Sequence, residues 1–102
     1  MSYAREKFNL AIRSLAVPGL QRERLVNAYV YNIIHVKPEA VPADIRDELR
    51  QFQHDITRVD AKGGEGKVQA TVNAMDDAEV NGMIERVISM HDAIARYEER
   101  SE

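Results

Sequence analysis

The chain has 102 residues, 44% of them hydrophobic, with 14 Lys and Arg against 17 Asp and Glu for a net charge of −3, and no cysteine. That length supports one compact core and is too short for two, so a single domain spanning residues 1–102 is expected. The slight acidic excess argues against a dedicated polyanion binder, and the lack of cysteine excludes a disulfide framework, a thiolate nucleophile and a zinc-thiolate site.

Charge is uneven along the sequence. Residues 1–36 hold Arg5, Lys7, Arg13, Arg22 and Arg24 against Glu6 and Glu23, whereas 76–102 hold eight acids against Arg86, Arg96 and Arg100. Segments of opposite sign lying side by side offset one another, a simpler reading than a patch for a partner. The opening Met1-Ser2-Tyr3-Ala4-Arg5-Glu6-Lys7 has no apolar signal-peptide core, and no apolar stretch approaches the ~20 residues of a membrane span. No membrane association and a cytoplasmic location are therefore expected.

From Tyr3 to Ala16, the residues Ala4, Phe8, Ala11, Ile12 and Leu15 recur at helical steps and form one apolar stripe, which Pro18-Gly19 ends. A second helix is predicted from Leu20 to about Val36. Two adjoining stripes, Leu25/Tyr29/Val36 and Val26/Val30/Ile33/Ile34, suit a helix covered on more than one side. The β-branched and aromatic run Tyr29 to Ile34 keeps a strand as the competing assignment there.

After the connector 37–42, Pro42 is placed to open a third helix, with Asp44 complementing its dipole. Ile45, Leu49, Phe52, Ile56 and Val59 form its narrow seam. Residues 60–66, with three glycines, read as a mobile connector. Residues 67–74 allow a short extra helix or a short strand, because Val68/Ala70/Val72/Ala74 alternate.

The last helix has a clear start signal. Asp76 is placed as N-cap, Glu79 completes a capping box, and Met75 staples against Val80. It is predicted to run to about Glu98, burying Val80, Met83, Ile84, Val87, His91, Ile94 and Tyr97, and its interior Gly82 costs about 1 kcal/mol relative to Ala. Together these elements predict an all-α fold, an antiparallel bundle of four main helices with one short extra helix.

Several residue sets could carry chemistry. Gly63-Gly64-Glu65-Gly66-Lys67 approximates a phosphate-binding loop but has Ala61 where glycine is needed and Val68 where Ser or Thr is needed. His54-Asp55, His91-Asp92 and His35 offer imidazole and carboxylate groups, but helical neighbours point about 100° apart, so neither a metal site nor a cofactor is expected. Asp44, Asp47 and Glu48 are accounted for by the helix dipole.

The segment Arg86-Val87-Ile88-Ser89-Met90-His91 resembles the spacing of helical endoribonucleases of the HEPN class, an Arg, four residues, then a His. That resemblance, carried by two residues, implies a dimer that brings such pairs together over RNA, with His91 handling a proton and Arg86 the phosphate charge. Val87 stands where that class has a polar residue. A nucleic-acid surface is a further alternative, with Arg5, Lys7, Arg13, Arg22 and Arg24 on phosphates and tyrosines stacking bases.

The reading that ranks first is a small non-enzymatic interaction protein, an adaptor, inhibitor or regulator that presents a helical face to another protein. Tyr29 and Tyr31 on the second helix, with Met83 and Met90 on the last, are its expected partner-binding residues, and a homodimer fits the same surplus of apolar surface.

Overall fold

The structure, a computed structural model, describes residues 2–101. Among these residues it is all-helical, with five α-helices, three short 3₁₀ turns and no strand. Helix α1, Tyr3–Ala16, has the predicted limits. The Ser2 hydroxyl caps it by accepting from the Arg5 N–H at 3.0 Å. Val17 ends it in extended conformation, the state that a following proline enforces. Gly19 then reverses the chain at φ +132°, a conformation strained for any residue with a Cβ.

Helix α2 covers Gln21–Tyr31, five residues short of the predicted end. Asn32 leaves the helical conformation, and its side-chain amide donates to Ser14 Oγ at 3.3 Å. The β-branched run beyond it continues only as a 3₁₀ turn, Ile33–His35. Further 3₁₀ turns cover Pro38–Ala40 and Ala43–Ile45. Pro42 thus precedes a tight turn, and helix α3 begins later, at Arg46, and ends at Asp55.

Residues 67–74 are helical within α4, Gly66–Ala74, which decides against the strand. Helix α5, Asp77–Ser101, is the spine of the molecule. Its 25 residues span about 37 Å of the 45 Å long axis. The capping box is present: Asp76 Oδ1 accepts from the Glu79 N–H at 2.8 Å, and Glu79 Oε1 accepts from the Asp76 N–H at 3.2 Å.

Val80, Met83, Val87, Met90 and Ile94 make the buried seam of α5, at steps of three and four residues. The seam joins Ala4, Phe8 and Ala11 of α1, Leu25, Ala28 and Tyr29 of α2, Leu49 and Phe52 of α3, and Val68 and Val72 of α4 in one cluster. Each large side chain buried there contributes roughly 1.5–3 kcal/mol. The Tyr29 and Phe52 rings meet at 6.0 Å between centroids, tilted by 40°.

Polar contacts fix how the helices run. Ser2 bonds Glu98 and Asn9 bonds His91, so α1 and α5 are antiparallel. Glu48 and Asp55 meet Arg86 while Arg58 meets Glu79, so α3 also runs against α5. Among the described residues, no helix is long and apolar enough to cross a membrane.

Candidate functional site

Arg86 and His91 lie on one helix but serve different neighbours. Five helical steps turn them about 140° apart. The Arg86 guanidinium donates to Glu48 Oε1 at 3.1 Å and to Asp55 Oδ2 at 2.9 Å, and it lies 5.3 Å over the Phe52 ring. Burial opposes ionisation of Asp55, but hydrogen bonds from Arg86 and Gln51, with the positive charge of Arg86, outweigh it and hold the carboxyl below its ordinary value. His91 turns to α1, with Nε2 at 2.7 Å from Asn9 Oδ1 and Nδ1 at 3.3 Å from Asp92. It is half-buried rather than part of the core, and Tyr97, placed on the same stripe by periodicity, is half exposed.

The sequence pattern missed the cluster of Arg86, Glu48, Asp55 and Phe52 because its partners come from a helix more than thirty residues away. The available signal was the seven-residue spacing of Glu48 and Asp55, which sets both acids on one side of α3. Asp44 and Asp47 stay exposed near the start of α3, while Glu48 ties α3 to α5. Beside this cluster a cleft of about 330 Å³ is lined by Asp55, Arg58, Met75, Glu79, Gly82 and Arg86 together with Met83. Its charges pair with one another, Arg58 with Glu79 at 3.4 Å and Arg86 with Asp55 at 2.9 Å.

Among the described residues, no three His, Cys, Asp or Glu side chains are placed to share a metal ion. In the glycine-rich segment Lys67 pairs with Asp60 at 3.8 Å, and Gly66 takes φ +80° as α4 begins.

The basic residues near the start do not form a track. Arg22 donates to the Val72 and Met75 carbonyls, both at 2.7 Å, and to Asp77 at 2.8 Å, closing the end of α4 onto the start of α5. Arg24 donates to the Leu15 carbonyl at 2.7 Å, satisfying the last turn of α1. Arg5 lies 3.9 Å from both Glu98 and Glu99. These contacts bring the basic start against the acidic end. Burial raises the pKa of Glu98, but bonds from Ser2 and the charge of Arg5 outweigh it, so its carboxyl sits below the ordinary value. Lys7 lies over the Tyr3 ring, 5.6 Å from its centroid. Arg13 is exposed, with no ion pair among the described residues.

Of the four residues expected to meet a partner, Tyr29, Met83 and Met90 are core residues, each 5% exposed or less, and Tyr31 is 67% exposed. The methionines repeat at the same helical steps as the valines of α5, so periodicity alone assigns both to the same buried face. Tyr31 stands at a groove of about 350 Å³ between α1 and α2, lined also by Leu10, Arg13, Ser14, Val17 and Asn27, with Asn32 behind. Leu10 and Val17, absent from the sequence-based set, are 38% and 49% exposed on its rim. Comparison with family models, with curated proteins and with solved structures finds no match.

Proposed function

We propose that the protein is a non-enzymatic interaction module, one domain built as an antiparallel bundle of α1, α2, α3 and α5 with α4 as the short extra helix. It acts as an adaptor, inhibitor or regulator by seating another protein in the groove between α1 and α2. The observation that carries this reading is the groove's rim. Leu10, Val17 and Tyr31 keep large apolar surfaces in water beside Arg13 and Asn27, while Arg86, His91, Arg22 and Arg24 are engaged in contacts between helices. A groove with an apolar rim and one unpaired cation suits a helix with apolar anchors and an acidic flank.

The test is affinity capture by the intact protein from nuclease-treated lysate, with Tyr31→Asp and Arg86→Ala run in parallel. A stoichiometric protein captured by the wild type and by Arg86→Ala but lost with Tyr31→Asp supports the module. Recovery of nucleic acid alone in untreated samples, or capture indifferent to Tyr31→Asp, overturns it.

A further inference from the structure

The outer side of α1 carries a second pattern. Tyr3, Glu6, Leu10, Arg13 and Val17 follow steps of three, four, three and four residues, opposite the buried Ala4, Phe8 and Ala11. Tyr3 is 52% exposed, and Leu10 and Val17 are exposed as described above. Glu6, like Arg13, is exposed with no ion pair among the described residues. The stripe is thus three apolar side chains with one acid and one base between them.

We propose that this face binds a second copy of the chain, α1 packing antiparallel against α1 about a twofold axis close to Leu10. The inference rests on the reading of the α1–α2 face as a binding surface and adds a second copy of the chain as an occupant that competes with the other protein for it. Reversing α1 about Leu10 sets Leu10 against its own copy and Tyr3 against Val17. It sets Glu6 opposite Ser14, one residue or about 1.5 Å from Arg13. Each dimer therefore gains two Glu6–Arg13 pairs, one on either side of the axis.

The parallel alternative puts Glu6 on Glu6 and Arg13 on Arg13, which like-charge repulsion disfavours. The antiparallel pairing uses the same patch twice and closes on itself, as a stable twofold dimer must. Lys7 lies about 120° around the helix from Arg13 and stays off the ion-pair side of the seam.

The groove extends this seam. Val17 lines it with Tyr31, so Tyr3 of the second copy arrives level with the groove and lays its ring beside Tyr31 and Asn27. One helix seam with a single aromatic knob is small for a protein interface, which makes the dimer weak and reversible.

Sedimentation equilibrium of the full chain, from micromolar to millimolar concentration, tests the proposal. The wild type forms a concentration-dependent dimer. Glu6→Arg alone and Arg13→Glu alone each weaken it by about tenfold or more, because like charges then face each other on both sides of the axis. Mixing these two variants restores association as a heterodimer, in which both pairs are again of opposite sign. Leu10→Asp is monomeric, with thermal unfolding by circular dichroism showing that it still folds.

A wild type that stays monomeric at millimolar concentration, a dimer unaffected by Leu10→Asp, or a mixture that fails to associate overturns the proposal. If the dimer fails while capture of another protein still depends on Tyr31, the interaction module stands without it. If both fail, the groove is not a binding surface.

Discussion

The two faces of α1 both carry apolar side chains and have opposite fates. Ala4, Phe8 and Ala11 are sealed against α2 and α5, and Phe8 has no exposure, whereas Tyr3, Leu10 and Val17 on the outer face remain in water. The arginines divide in the same way. Arg22, Arg24 and Arg86 point inward onto carbonyls and carboxylates of other helices, and Arg13 points outward with its charge unspent. The teaching is that apolar or basic character does not say what a side chain does. The neighbour that the topology brings to it decides.

Substitutions can sharpen this contrast. The largest expected effect is at Phe8. Truncation to Ala leaves a cavity at the α1–α5 contact and destabilises the fold by about 3–5 kcal/mol, read from urea unfolding. The inward arginines come next. Arg22→Ala removes the guanidinium donor from the Met75 carbonyl and leaves the Val72 carbonyl with the Met75 N–H, and a loss of about 1–3 kcal/mol is expected. Arg86→Lys does not restore the Arg86 contacts, because an ammonium cannot reach Glu48 and Asp55 while stacking on Phe52.

The Arg86 pair also has a pH signature. The Asp55 carboxyl sits below its ordinary value of 3.8 in the folded protein, so its stabilising contribution is present above about pH 4 and is lost as pH falls through the lowered value. Asp55→Asn should flatten the acid limb of the stability profile and leave its neutral region level. An unchanged acid limb would remove Asp55 from the account.

Smaller effects lie on exposed surfaces. Nothing lies within 4 Å of a methyl group built at Gly82, so Gly82→Ala should stabilise α5 by about 1 kcal/mol, a rise in melting temperature. Leu10→Ser, on the outer face, should shift stability by about 0.5 kcal/mol or less while weakening association. A large stability loss from Leu10→Ser would erase the distinction between the two faces of α1.

Much of the helical layout is legible in the sequence where local chemistry sets it. Ser2 and Pro18 bound α1, and Asp76 with Glu79 starts α5, through contacts within four residues. The end of α2 was not legible, because Asn32 turns away to bond Ser14 on a different helix. The cluster around Arg86 was hidden for the same reason, its acids lying 31 and 38 residues away. Of the groove's exposed rim, Tyr31 was among the residues the sequence pointed to, whereas Leu10 and Val17 were not. A stripe with charged residues at alternate positions is weaker than the core stripe on the same helix.

The bonds from Ser2 to Glu98 have a consequence for how the protein is made. Helix α1 is synthesised before α5, against which it packs, so the part of its inner face that α5 covers waits seconds at translation rates of ~5–20 residues/s. Joining the residues near Ser2 and Glu98 through a short linker and opening the chain within 60–65 would place α5 ahead of α1. That permuted chain keeps the core contacts and makes α1 directly after α5, so it should reach the same fold with less aggregation during synthesis.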